Sequence, residues 1–194
     1  MNLQKFEDIK ARYGFVASWA CWSPRQGEKA TSGVSDLEVF NPTNPNNKIE
    51  ELHTRFVLVG LNISRGDIDD NPWRNFHSGS PNATDFKLRY AITGSALWGS
   101  YMTDLLKDFV EVSASKANRY FKTNPKELEK HLTSFEEEIA FVCEKRPVLF
   151  ALGDDTYNLL NDHFSVTFEI VKLYHYARRV SLEELRTQYM SSIK

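Results

Sequence analysis

The 194-residue sequence has few cysteines and no long apolar run, and its charges are nearly balanced. Its two cysteines, Cys21 and Cys143, cannot supply a four-thiolate zinc or iron–sulfur site. Both lie in apolar contexts, so we expect two buried free thiols. No segment has the apolar length of a signal peptide or a membrane span, which predicts a soluble, cytoplasmic protein.

Several motifs of common enzyme classes are also missing. The chain contains no Gly-x-Ser-x-Gly elbow, no Walker phosphate loop and no Gly-x-Gly-x-x-Gly fingerprint. These absences argue against the commonest hydrolases, NTPases and dinucleotide-dependent enzymes. The five histidines show no metal-ligand spacing, so no metal site is expected. A net charge of −2 gives no general attraction to nucleic acid, and any such affinity therefore needs a local basic surface.

The chain does contain an alternation of apolar strands and amphipathic helices. Strands are predicted at 15–22, 56–59, 100–106, 148–152 and 166–173, and a brief edge element at 36–40. Helices are predicted at 3–13, 87–92, 154–160, from 182, and from 125 until Arg146-Pro147, the last with an apolar stripe that ends at Val142. This order implies parallel pairing with right-handed crossovers. We predict one α/β domain over residues 1–194, with three α/β/α layers around a central, mainly parallel four-stranded sheet. Residues 1–50 form an N-terminal helix and a loop-rich extension in this prediction.

Sites in such sheets form at the carboxyl ends of the strands. The segment Gly60-Leu-Asn-Ile-Ser-Arg-Gly66 follows the first clearly buried strand, and its two glycines let backbone approach a ligand closely. Asn62 places an amide at the strand tip, where it can accept from a water and donate to a ligand. The alternative interpretation is a tight turn in which Asn62 satisfies its own backbone.

Two further segments contain groups suited to binding. Residues 73–77 place three aromatic rings in a polar loop, and one of them can stack on a planar ligand such as a base, although ordinary packing is the alternative. His175 follows the last strand and can donate to an oxygen that gains charge, while Arg178 and Arg179 suit phosphates. The alternative there is a solvated basic turn. Asp104, near the end of another strand, has no obvious structural role.

Taken in order, these segments resemble the motifs of the uracil-DNA glycosylase superfamily. Residues 56–64 resemble the first motif, a strand running into Gly-x-Asp/Asn-Pro, in the asparagine form of the mismatch-specific uracil/thymine and single-strand-selective branches. Phe76 falls where the family keeps a base-stacking aromatic. Residues 101–107 and 148–154 are similar to the second and third strands, and residues 175–179 take the place of the DNA-inserting His/Asn-Pro-Ser loop. The resemblance covers roughly residues 55–180.

This resemblance implies base excision from DNA, without a metal or an organic cofactor. A base flipped out of the helix would stack on Phe76. Asn62 would orient the attacking water, and His175 would stabilise charge on the oxygen of the leaving base. The remaining residues implied to contact the base are Gly60, Leu61, Ile63, Ser64 and Asp104, and those implied to contact DNA phosphates are Arg65, Arg178 and Arg179.

The sequence departs from the family at four places. Ile63 replaces the family's proline, and Tyr176-Ala177 replaces Pro-Ser, so both DNA-facing loops are altered. Ser64 stands where the strict uracil enzymes keep a tyrosine that excludes thymine's methyl group, which permits a larger base. Asp104 falls near the amide that reads the uracil edge in some branches. An ionised carboxylate accepts from N–H groups but cannot donate to a carbonyl oxygen, so plain uracil fits poorly there.

These observations give a leading hypothesis and two alternatives. The leading hypothesis is a DNA glycosylase-like protein that removes a deaminated or otherwise modified base by hydrolysis of the N-glycosidic bond. The altered loops and the acidic balance favour a non-catalytic module that binds a nucleotide, a nucleic acid or a protein through the same pocket. A hydrolase of a free nucleoside or small N-glycoside is the third possibility, and it would need no basic surface.

Overall fold

The computed structural model describes residues 1–23, 36–62, 71–80, 83–107, 109 and 114–193. Five strands are formed, namely β1 (Ala17–Trp19), β2 (His53–Asn62), β3 (Ser100–Leu106), β4 (Val148–Leu152) and β5 (Glu169–Leu173). The α-helices are α1 (Leu3–Tyr13), α2 (Asp85–Ile92), α3 (Ala114–Thr123), α4 (Pro125–Val142), α5 (Asp154–Phe164) and α6 (Leu182–Ser191). Two short 3₁₀ turns cover Glu38–Phe40 and Ile49–Glu51.

The five strands form one sheet in the order β1-β3-β2-β4-β5. The last four strands are parallel, and β1 pairs antiparallel with β3. The α/β class and the mainly parallel sheet are therefore confirmed, but the count of four strands was wrong. Residues 17–19, inside the predicted N-terminal extension, form the fifth strand. Because β3 is buried along its whole length, its outer edge needs backbone partners, and β1 supplies them.

Helices cover both faces of the sheet. Successive strand residues point to opposite faces, so Val57 and Val59 of β2 join a core with α1, α4 and α5, whereas Phe56 and Leu58 join a core with α2 and α6. We call these the α4 face and the α2 face. This arrangement agrees with the predicted α/β/α layers.

The ends of the helices follow local chemistry. Ser181 begins α6 as expected, since its Oγ accepts from the Glu184 backbone N–H at 3.0 Å. Asn124 precedes α4 without capping it, because its side-chain amide instead donates to the carbonyl of Tyr120 at the end of α3. Helix α3 was not predicted. Among its described side chains only Ala117 and Phe121 are buried apolar groups, and two such positions make no recognisable stripe.

Two expected elements are shorter or of another type. The brief element at 36–40 is a 3₁₀ turn, and the last strand begins at Glu169 rather than at Val166, which is 97% exposed in the preceding turn. Cys21 and Cys143 are buried and free as predicted, and burial raises the pKa of both thiols to about 12. No helix in the described part of the chain has the length and apolarity needed to cross a bilayer.

His77 is a titratable group that is fully enclosed near the edge strand. Its Nε2 lies 3.1 Å from the Trp19 carbonyl, and its ring packs against Trp22 and Phe40. Burial lowers the pKa of this imidazole from 6.5 to about 4. A neutral ring that donates from Nε2 therefore belongs to the folded state.

The lowered pKa of His77 predicts that the protein loses stability in acid. The unfolded chain takes up a proton on this ring near pH 6.5 and the folded chain only near pH 4, so stability falls as the pH decreases through that window. The contribution is about 3 kcal/mol. Urea unfolding from pH 7.5 to 4 will show a steeper decline for the wild type than for His77→Gln, whose amide still donates but does not titrate. Equal slopes would contradict this account.

Candidate functional site

The carboxyl ends of the four parallel strands bring most of the predicted site residues to one edge of the sheet. Gly60 of β2 lies opposite Asp104 of β3 in the parallel register. On the other side of β2, Gly153 follows the end of β4, and His175 follows β5. The edge expected from the strand order is thus the edge where the polar groups meet.

Gly60 creates the space in which two of these groups lie. A Cβ atom at this position would collide with Oδ1 of Asp104 and would sit 3.4 Å from Cε1 of Phe76. The carboxylate oxygen therefore occupies space that a side chain at residue 60 would fill, and the edge of the Phe76 ring borders that space. Glycine is required here because of this close approach and not because of an unusual φ angle.

The segment 71–80 carries Phe76 and is held against the first strand. Trp73 and Phe76 have φ angles of 70° and 65°, a left-handed conformation that bulky residues rarely adopt. Hydrogen bonds from Trp73 N to Gly14 O (2.6 Å) and from Ser18 Oγ to Trp73 O (2.9 Å) maintain it. Strained residues of this kind persist only where the surroundings fix them, and they concentrate at functional sites.

The aromatic residues of this segment divide into two roles. Trp73 and His77 are buried, and Trp73 packs against the rings of Phe6 and Trp19. Ordinary packing thus accounts for these two side chains. Phe76 is only partly buried and turns toward Gly60.

Asn75 fixes one oxygen of Asp104. Its Nδ2 donates to Oδ2 of Asp104 at 2.9 Å and to the carbonyl of Val16 at 3.0 Å, so both amide hydrogens are engaged. Two acceptors around one nitrogen determine the orientation of the amide, which can therefore only donate to Asp104. Among the residues that the structure describes, none donates to Oδ1.

Asp104 is almost fully enclosed, with 3% of its surface exposed. Burial raises the pKa of its carboxyl from 3.8 to about 6, while the Asn75 hydrogen bond and the nearby Lys107 ammonium lower it. A carboxyl that changes protonation near neutral pH can act in binding or in proton transfer. Alternation along β3 places it on the α2 face with Met102.

The α4 face of the same strand end contains a fully paired network. Lys107 donates to Thr103 Oγ1 and to the Asp104 carbonyl, both at 2.8 Å, and forms an ion pair with Glu138 of α4. Glu138 also accepts from the Tyr101 hydroxyl at 2.8 Å. This network fixes the backbone from which the Asp104 side chain projects.

Sequence reasoning missed Asn75, Lys107 and Glu138. Glu138 carried a usable signal, since it lies three residues after Phe135 and four before Val142, inside the apolar stripe of α4. A charged residue on a buried helical face needs a buried partner. No comparable signal existed for Asn75.

Asn62 lies at the end of β2 and is partly buried. Its Nδ2 donates to the Phe109 carbonyl at 3.1 Å. This bond identifies Oδ1 as the acceptor end of the amide, which is the atom suited to holding a water. Leu61 points the other way and packs on the core of the α4 face.

His175 lies over Gly153, because a Cβ at Gly153 would be 3.4 Å from its Cβ. Gly153 has a φ of 99°, so a side chain there would also be strained. Nδ1 of His175 accepts from the Ala177 N–H at 3.1 Å, which leaves the proton of the neutral ring on Nε2. Desolvation by the surrounding protein lowers the pKa of this exposed imidazole, which favours the neutral form.

The turn after His175 is basic and exposed. Arg178 and Arg179 both reach solvent, and the Arg178 guanidinium lies over the Tyr174 ring at 4.3 Å. Tyr176 stacks on the His175 ring at 4.5 Å. Three predicted site residues, Ile63, Ser64 and Arg65, lie outside the described residues.

In the part of the chain that the structure describes, no group of three or more His, Cys, Asp or Glu side chains is arranged to hold a metal ion. Comparisons with protein-family models, with curated proteins and with solved structures gave no match. A function for this chain is therefore inferred from its residues and their geometry.

The contact at Gly60 predicts coupling between two positions. Gly60→Ala places a methyl group on Asp104 Oδ1 and is expected to lower the free energy of unfolding by about 1–3 kcal/mol. Adding Asp104→Ala will recover part of that loss in a double-mutant cycle measured by urea unfolding. Gly94→Ala is the control, since it introduces backbone strain at φ 76° in open space and should show no coupling to Asp104.

The raised pKa of Asp104 also predicts that removing the charge of this side chain stabilises the protein. Its folded pKa of about 6 exceeds the unfolded value of 3.8, so the folded state binds more protons and stability is lost as the pH rises through this window. Asp104→Asn removes that loss, which amounts to about 3 kcal/mol. The variant should therefore be stabilised over the wild type by more at pH 8 than at pH 4. If the stability difference between variant and wild type were the same at pH 8 and pH 4, Asp104 would not be a buried carboxylate with a raised pKa.

Proposed function

We propose that the chain is a DNA glycosylase-like protein of the uracil-DNA glycosylase superfamily type. It removes a modified base by hydrolysis of the bond between C1′ of deoxyribose and the base nitrogen. The observation that carries the proposal is that Phe76 and Asp104 both lie at the space left by the missing side chain of Gly60. An aromatic face and a buried hydrogen-bonding group at one glycine gap are the two elements that recognise a flipped base.

Stacking on Phe76 supplies affinity for a planar ligand. Base–aromatic stacking contributes about 1–3 kcal/mol per base. The left-handed backbone at residue 76 supports this role. A bulky residue rarely adopts this conformation, and it persists here while the ring lies at the strand ends. A polar group beside the ring, here Asp104, then selects among bases that stack equally well.

Hydrolysis requires a positioned water and a donor for the leaving base. The water oxygen bonds to C1′, the C1′–N bond breaks, and the base departs with the bonding electron pair. The proton that the water loses to solvent is balanced by protonation of the departing base anion, so the products are a C1′-hydroxyl sugar and a neutral base. In this mechanism Asn62 accepts a hydrogen bond from the water through Oδ1. His175, neutral and protonated at Nε2, donates to the base oxygen on which negative charge develops. Neither step requires a metal or an organic cofactor.

Exposed basic residues adjoin both of these side chains. Arg178 and Arg179 follow His175 directly, and Lys87 of α2 donates to the Arg178 carbonyl at 3.4 Å. Helix α3, which begins a few residues beyond the Phe109 carbonyl that binds Asn62, exposes Lys116, Arg119 and Lys122. In the proposed complex these exposed cations are the groups that contact the phosphate backbone.

The test is base release from labelled single-stranded and duplex oligonucleotides that carry one modified base, with abasic sites revealed by alkali. Asn62→Ala is expected to reduce the rate at least about a hundredfold, and His175→Ala by a similar factor. Phe76→Ala should weaken binding of the substrate more than it lowers the rate at saturation. Base release that persists in both Asn62→Ala and His175→Ala would refute the assigned roles.

The phosphate contacts are tested separately by salt dependence. Arg178→Ala with Arg179→Ala should weaken binding to every oligonucleotide and flatten the dependence on salt by about two ion equivalents. Lys145→Ala with Arg146→Ala is the matched control, because these exposed residues precede β4 at the opposite edge of the sheet. Binding without any base release would instead support the non-catalytic module.

A further inference from the structure

The two oxygens of Asp104 have different surroundings. Oδ2 accepts from Asn75, whereas Oδ1 faces Gly60 without a donor from any described residue. Asp104 as a whole is only 3% exposed, and a carboxylate so enclosed is stabilised by a second donor, which a bound ligand can supply. The site therefore contains an acceptor that awaits a donor, next to an aromatic ring.

Asn75 cannot change this polarity. Its amide is oriented by the Val16 carbonyl as well as by Asp104, so no rotation can offer its oxygen to the site. Lys107 cannot supply the donor either, since its ammonium is on the α4 face in contact with Glu138 and Thr103. The surrounding groups thus favour an acceptor at Oδ1 above neutral pH, where the carboxyl is ionised.

We propose that, among modified bases, this site selects those that keep the exocyclic amino group of cytosine or adenine over their deaminated counterparts. The amino N–H donates to Oδ1 of Asp104 while the ring stacks on Phe76. Deamination replaces this donor by a carbonyl oxygen and leaves an N–H only on the neighbouring ring nitrogen. A carboxylate aligned with the exocyclic position therefore faces a second acceptor in the deaminated base. The inference rests on the proposed function for the statement that the ligand is a nucleobase.

A structural role alone does not explain an aspartate here. An asparagine would accept the same Asn75 hydrogen bond through its oxygen and would avoid the burial of a charge. Glu138, by contrast, is paired with Lys107 and Tyr101, as expected of a carboxylate with a structural role. The incomplete pairing of Asp104 therefore indicates a ligand.

The experiment compares oligonucleotides in pairs that differ only by amino against carbonyl: cytosine with uracil, 5-methylcytosine with thymine, and adenine with hypoxanthine. Binding is measured by fluorescence anisotropy and base release by alkaline cleavage, both at pH 8 and pH 5. At pH 8 the wild type should favour the amino member by about tenfold or more, the value of a charge-assisted hydrogen bond. At pH 5 the preference should shrink, because the protonated carboxyl can donate to a carbonyl.

Asp104→Asn should abolish or reverse the preference at pH 8 and remove its pH dependence, since an amide can both donate and accept. Asp162→Asn removes a charge from the exposed surface of α5 and should change nothing. If Asp104→Asn fails to fold, the loss of preference between pH 8 and pH 5 in the wild type tests the same point. Equal binding of both members by the wild type at pH 8, or preference for the carbonyl member, would overturn the inference.

The two readouts separate the two proposals. An amino preference in binding without base release supports the selectivity and refutes the glycosylase activity. Base release without an amino preference supports the glycosylase activity and refutes the selectivity. Failure to bind any of the oligonucleotides would overturn both.

Discussion

Hydrogen bonds between the segment 71–80 and the beginning of the chain determine where the groups of the site lie. Asn75 donates to the Val16 carbonyl, His77 lies 3.1 Å from the Trp19 carbonyl, and Ser18 donates to the Trp73 carbonyl. The first two bonds use the backbone carbonyls of Val16 and Trp19 as acceptors, and the third runs from the Ser18 side chain of β1 to a carbonyl of the segment. A three-residue edge strand thus completes the sheet and also holds the loop that brings Phe76 to Gly60, at the expense of two left-handed residues.

Two buried carboxyl groups near the end of β3 illustrate different uses of burial. Glu138 lies on the α4 face and is balanced by Lys107 and by the Tyr101 hydroxyl. Asp104 lies on the α2 face with one amide donor, and burial raises the pKa of its carboxyl to about 6. Removing charges from water is unfavourable unless partners replace the water. The fully paired group stabilises the fold, and the partly paired group is the one suited to a ligand.

The parts of the fold that periodicity encodes were predicted well. Apolar runs gave β3 and β4 within their observed bounds, and the stripe ending at Val142 gave α4. Helix α3 and the pairing of β1 were not predicted. Helix α3 shows two buried apolar positions among its described side chains, and a three-residue strand is stabilised by its partner rather than by its own sequence.

By itself the sequence determined the α/β class, the parallel direction of the later strands and the sheet edge at which Asn62, Asp104 and His175 lie. Side-chain periodicity and the alternation of strands and helices are local properties of a sequence, which is why these features were predictable. Only the tertiary structure decided that Phe76, and not Trp73, turns toward Gly60, and that Asn75 is the one described residue that donates to the Asp104 carboxylate. These features depend on contacts between segments far apart in the chain, and no local pattern records such contacts.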